Sequence, residues 1–237
     1  MTKRTGSIRR KGTGTRKNRR IALLVLAFAA CLPAGGQDRD AGLWTGLELE
    51  KGLNGWLGLK GSVEHRRDRN LVRMDRSFVE AGLKADAGKY MEASLSYRYT
   101  RRSLPEYGTA GIHRLYADLT FEYDWGELTA AQRLRLTMDK NPAFLADEFI
   151  EEKARLKTSL QYNIRKTPLK VGTSAEYFFP SPAGEMLLAD KSRYTLGLDC
   201  SLTRNISLGV SHHYERERFR NRPVVHFIWV VRMKYVL

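Results

Sequence analysis

The sequence predicts an all-β chain, an antiparallel up-and-down transmembrane β-barrel of about twelve strands, with ten as the fallback, behind a cleaved N-terminal signal peptide. Three observations predict it. Segments of about ten residues alternate apolar and polar side chains from Leu43 to Leu237. Short connections alternate with longer ones along the chain. Aromatic residues gather near the ends of the alternating segments rather than at their centres. Side chains of a strand point to opposite faces with period two, so each segment reads as a strand with one apolar and one polar face. Short turns on one side and longer loops on the other are the pattern of outer-membrane barrels.

The leader comes first. Residues 1–20 contain nine Lys or Arg and no acid, Ile21 to Ala30 is an apolar run, and small residues follow up to Gln37. The run is too short to span a bilayer as a helix. A basic start, a short apolar stretch and a small-residue exit make a secretory signal peptide. The division is therefore a signal peptide over 1–37 and a barrel over 38–237, exported by the general secretory route. Cys31 follows Phe28-Ala29-Ala30, a poor match to a lipoprotein box, and the residues after Arg19-Arg20 do not fit a twin-arginine signal. The chain of 237 residues carries a net charge of +15. Removing nine basic residues leaves 32 basic against 26 acidic ones, or +6. The high isoelectric point thus belongs mainly to the leader, and a nucleic-acid partner loses its support. Without Cys31, Cys200 stands alone and no internal disulfide is available.

The first hairpin is read in Leu43 to Arg66. Leu43, Thr45, Leu47 and Leu49 share one parity against Trp44, Gly46, Glu48 and Glu50. The alternation resumes at Leu57 after Asn54-Gly55, a pair that predicts a type I′ turn with positive φ at both residues. Further strands follow around Val79–Ala85, Met91–Tyr99, Leu115–Tyr123, Leu128–Met138, Ile150–Tyr162, Leu169–Phe179, Tyr194–Leu202, Ile206–Tyr214 and Val225–Leu237. Eleven segments are read in this way. Single-chain bacterial barrels have even strand numbers, so the expectation is twelve. Longer loops are expected near 67–75, 101–111, 139–148, 180–192 and 217–223.

The same alternation could describe a secreted soluble barrel that binds a ligand, with apolar side chains inside. Aromatic placement argues for the membrane alternative. Trp56, Tyr90, Tyr123, Trp125, Tyr162 and Tyr235 lie beside short turns or the C-terminus, and Tyr97, Tyr99, Tyr177, Phe179, Tyr194 and Tyr214 lie toward the longer loops. Two such girdles fit lipid headgroups on either side of a bilayer. Backbone groups in hydrocarbon must all be paired, so the strands must close on one another.

A family resemblance reinforces this. Leu43-Trp44-Thr45-Gly46, the strand end Glu64-His65-Arg66-Arg67, the Ser-, Tyr- and Arg-rich run Ser94 to Arg102, Glu176-Tyr177-Phe178 before a loop, and Arg193-Tyr194 after it carry the resemblance. Together they resemble an uncharacterised Gram-negative outer-membrane β-barrel family known only as a domain of unknown function. The resemblance implies location in the cell outer membrane and gives no activity.

The charged parity supplies the candidate functional residues: Glu64, Arg66, Arg98, Arg114, Asp118, Glu122, Arg133, Arg135, Arg155, Glu176 and Arg193 are expected to line the lumen. They suit either a narrow pore favouring small anions or an interior closed by ion pairs. At ten to twelve strands the barrel lies between side-chain-filled and open-channel sizes. Ser211, His213 and Glu215 share one strand face at i, i+2 and i+4. A Ser–His pair of this kind resembles that of outer-membrane phospholipases, giving a lipid-acting hydrolase as the alternative function. Its position on the charged face argues instead for an ordinary polar lumen. His65, His113, His212, His213 and His226 lack the spacing of a zinc site, and no phosphate-binding loop is present, so no metal or cofactor is expected. The expected surroundings are outer-membrane lipid and lipopolysaccharide, with the barrel assembly machinery during biogenesis and a monomer as the final state.

Overall fold

The computed structural model describes residues 39–104, 108–140, 150–180, 189–217 and 225–237, with the backbone alone at 39, 40 and 150–152. The leader, including Arg19-Arg20 and Cys31, lies outside the described residues. Eleven strands form one closed barrel: β1 (Arg39–Gly52), β2 (Leu57–Asp68), β3 (Arg73–Asp86), β4 (Met91–Leu104), β5 (Gly108–Trp125), β6 (Leu128–Lys140), β7 (Ile150–Asn163), β8 (Leu169–Phe179), β9 (Lys191–Ser201), β10 (Ile206–Glu217) and β11 (Val225–Val236). Each pairs antiparallel with its sequence neighbour, and β1 closes on β11 in parallel, with Leu43 opposite Trp229 and Leu47 opposite Met233.

The expectation of twelve strands, all antiparallel, is corrected here. Strands that alternate up and down around a circle must be even in number, unless one neighbouring pair runs the same way. This barrel takes the second solution. β1 and β11 both run from the longer-loop end to the short-turn end.

The connections show two further differences. The loop 53–56 forms a hairpin, but neither Asn54 nor Gly55 is among the residues with positive φ. Instead the Asn54 side chain accepts hydrogen bonds from the Trp56 and Leu57 amides at 3.0 and 2.7 Å, while the Leu53 and Asn54 amides donate to the Leu57 carbonyl. The Asn side chain therefore organises the turn that φ > 0 was expected to make. Left-handed backbone is used instead at Gly126, with φ +62, in the two-residue link between β5 and β6. The regions 67–75 and 101–111 are largely strand. β2 and β3 leave only 69–72 between them, and β5 extends over 18 residues from Gly108.

The polarity of the barrel is inverted relative to a water-soluble fold. Leu47, Leu83, Leu95, Leu136 and Leu196 are each about half exposed on the outer surface, whereas Glu64, Glu176 and Glu215 are 3%, 5% and 2% exposed on the inside. The outward aromatics form the two expected groups. Tyr90 stacks against Tyr123 near the short turns. Tyr177, Tyr194, Tyr214 and Phe227 form a contact chain near the longer loops. Cys200 is a buried free thiol.

Candidate functional site: an ion-pair-lined lumen

Period two aims one parity of every strand inward, and register decides which inward residues meet. A diagonal belt around the wall runs Trp44 on β1, Arg66 on β2, Phe78 on β3, Arg98 on β4, Tyr116 on β5 and Arg135 on β6, each step after Arg66 displaced by two residues from direct register. Guanidinium groups and aromatic rings alternate in it. Arg66 lies 3.7 Å from the Trp44 ring centre, Arg98 3.9 Å from Phe78, and Arg135 3.9 Å from Tyr116. A planar guanidinium covers a ring face while its edge keeps its donors for carboxylates.

Those edges are used. Arg66 bonds Glu64 at 2.6 Å, and Arg98 bonds Glu80 through two nitrogens. Arg135 makes a two-pronged bond to Asp118 at 2.6 and 2.7 Å, and Arg114 makes another to Asp139 at 2.5 and 2.7 Å. Paired bonds of this geometry are the stronger class of charge-assisted interaction. Farther round, Glu176 receives Arg133 on one oxygen and Arg193 on the other, both at 3.0 Å. Glu215 receives Arg193 on one oxygen and Lys191 on the other. At the closure, Arg232 on β11 reaches Glu64 on β2. Gly46 of β1 lies between these two in the same row, and its missing side chain leaves room for the bridge. Toward the short turns, Glu50 joins Lys84 and Lys234.

Among the described residues, cavities of about 360 and 310 Å³ lie inside this network. The larger is lined by ten basic and seven acidic residues. The smaller lies toward the short turns of β5 to β10, where Gly172, Ser174, Gly197, Gly209 and Ser211 leave space. Lys157, Thr195, His213 and Arg232 line both and stand where the two meet.

The sequence-selected residues are placed as follows. Glu64, Arg66, Arg98, Asp118, Arg133, Arg135, Arg155, Glu176 and Arg193 line the larger cavity, Glu122 lines the smaller, and Arg114 is held to Asp139. Glu80, Asp139, Lys191 and Arg232 also participate, beyond the residues that the charged parity selects, and Lys157 joins Arg155 on the inward face of β7. Their strand parity was the available signal, but their partners depend on register. Trp44, Phe78, Tyr116 and Phe178 are aromatics on the charged parity, so face polarity alone hides their role.

Ser211, His213 and Glu215 all face inward. His213 Nδ1 pairs with the Thr195 hydroxyl at 2.8 Å and its ring meets Trp44 edge-on. Glu215 is occupied by Arg193 and Lys191. No hydrogen bond joins Ser211 to His213 among the described residues. Among the described residues no group of three His, Cys, Asp or Glu is placed to hold a metal ion.

Comparison with known proteins gives a family match and distant structural likenesses. A crystal structure of the Pseudomonas aeruginosa protein OccK11 (OpdR) aligns at 15% identity with a TM-score of 0.36, covering 72% of this chain. This chain spans only 53% of that protein's length. No curated protein matches. The profile of the family described as protein of unknown function DUF2490 matches residues 41–225, most of the barrel, and the chain belongs to that family.

Proposed function

We propose that this protein is an outer-membrane β-barrel without a catalytic site, whose lumen forms a narrow, ion-pair-lined pore. The observation that carries the proposal is the inverted polarity: leucines about half exposed outside and carboxylates almost wholly buried inside. A soluble protein rarely exposes an apolar belt of this extent, and hydrocarbon gives it a low-energy environment. Strands of 11 to 18 residues meet or exceed the roughly 9–11 needed to cross a bilayer. The two adjoining cavities support a restricted polar passage rather than a wide channel. The engagement of His213 with Thr195, and of Glu215 with two cations, supports a non-enzymatic role over hydrolysis by Ser211.

The test uses full-length protein expressed with its leader and purified in detergent, with heat-modifiable gel migration as the check on folding. Reconstituted in planar bilayers, it should give small, discrete conductance steps, and it should release no fatty acid from phospholipid. A heat-modifiable barrel without steps refutes the pore, acyl-ester release restores the hydrolase, and recovery as a soluble periplasmic protein refutes the membrane assignment.

A further inference from the structure

Among the described residues the lumen network is incomplete on β6 and β7. Register sets Arg133 opposite Lys157 and Arg135 opposite Arg155. Four cations therefore form a two-by-two block on adjacent strands, where like charges placed directly opposite repel.

The neighbouring carboxylates do not neutralise the block. Asp118 gives both oxygens to Arg135. Glu176 divides its oxygens between Arg133 and Arg193. Glu215, beyond it, is divided between Arg193 and Lys191. Asp139, on the other side, gives both oxygens to Arg114. Arg155 and Lys157 remain. The Arg155 guanidinium has Phe178 at 4.8 Å, and its Nε is buried with no hydrogen-bond partner. Among the described residues Lys157 makes no hydrogen bond or ion pair, although Glu176 faces it across the ladder. Both line the larger cavity, and Lys157 also lines the smaller. Two residues apart on one strand, their side chains project in the same direction about 7 Å from each other. An anionic group between them would reach both.

We propose that Arg155 and Lys157, supported by Arg133, form a binding site inside the barrel for a small oxyanion, a carboxylate or a phosphate. A guanidinium edge and an ammonium supply several donors but no acceptor, which selects for a group presenting two or more anionic oxygens. Chloride offers no such shape. The inference goes beyond conduction. A barrel that binds without conducting would fail the bilayer test and pass this one.

The test is calorimetric titration of the folded, purified barrel at low ionic strength, using inorganic phosphate, acetate and chloride as separate probes. Thermal unfolding is followed in parallel, in phosphate and in sodium chloride of equal ionic strength. Phosphate or acetate should bind saturably and raise the unfolding temperature above that in chloride, and the arm that responds identifies the oxyanion. Each charge-assisted hydrogen bond contributes about 1.5–3 kcal/mol, so Arg155→Gln and Lys157→Gln should each weaken binding about tenfold or more. Arg165→Gln removes an exposed cation paired with Glu127 on a short turn and should leave binding unchanged. If Arg155→Gln fails to fold, Lys157→Gln carries the test alone. The proposal is overturned by no saturable binding to folded wild type, by chloride acting as strongly as the oxyanions, or by equal weakening in Arg165→Gln.

Discussion

Leu95→Arg tests the facing of the strands most directly. Leu95 is 52% exposed on β4, with Leu83 and Ala117 as its neighbours in the ladder. Tyr90 stands five residues before it and Tyr99 four residues after it, each in an outward aromatic group. A strand rising about 3.4 Å per residue and tilted by about 40° advances about 2.6 Å along the barrel axis. The two tyrosines are then about 23 Å apart in height, close to the roughly 25 Å of an outer-membrane apolar band. Leu95 falls about 13 Å from the lower tyrosine, near the middle. An arginine on the lipid face there costs about 2–4 kcal/mol, because its charge loses water and gains no partner. At Tyr90 the same substitution meets the interface and should cost about 0–1 kcal/mol. Reversible denaturant unfolding in lipid vesicles, with heat-modifiable migration scoring the folded fraction, measures both. If Leu95→Arg costs no more than Tyr90→Arg, Leu95 does not face hydrocarbon, and the membrane reading fails with it.

Two further outcomes follow from the same geometry. Asp118→Ala strands Arg135 without its two-pronged partner in the lumen and should cost about 3–5 kcal/mol; Asp118→Leu with Arg135→Leu should cost well below the sum of the single changes, and strict additivity in that double-mutant cycle would show that the pair is not coupled. For the closure, cysteines replacing Leu47 and Met233 in a Cys200→Ser background should form a disulfide on oxidation, since the two residues are register partners on the outer surface, whereas cysteines at 43 and 233 stand four residues out of register, about 13 Å along the strands and beyond disulfide reach; the reverse result, or failure of both pairs, would refute this parallel register.

Much of the wall was legible in the sequence because the strand period is local. Leu43, Leu47 and Leu49 against Trp44, Glu48 and Glu50 already state two faces, and the same reading recovers all eleven segments. The count went wrong at a different step. Eleven segments alternate in the sequence, and an even-number rule that assumes antiparallel closure raises the expectation to twelve. Closure joins residues nearly two hundred positions apart, and neither β1 nor β11 carries a local mark of its partner's direction. Ion pairing was hidden for a related reason. Arg193 is visible as an inward cation, but that it divides itself between Glu176 and Glu215 depends on the registers of β8 with β9 and of β9 with β10. Arg232 lies on a strand whose inward parity also holds Ile228 and Val230, so no charged face points to it.

The closure also shows how local composition answers a topological requirement. A parallel pair is slightly less stable per residue than an antiparallel one, with slanted hydrogen bonds, and β1 with β11 is the place where this barrel accepts that. Here the lumen is apolar: Trp44, Ile228 and Val230 form a buried cluster across the two strands. Gly42 stands beside Ile228 close enough that a Cβ there would lie 3.2 Å from it, so a larger residue would displace the packing. Above this cluster Arg66 covers the Trp44 ring, and one row below it Arg232 passes over Gly46 to Glu64. The bridge ties β11 to β2 and so constrains β1 from both sides through side chains rather than backbone. Elsewhere each strand is held by a short or local connection to its neighbour; at the closure no chain connection exists, and side-chain packing with the ion pairs of Arg232 to Glu48 and Glu64 and of Lys234 to Glu50 supplements the backbone ladder.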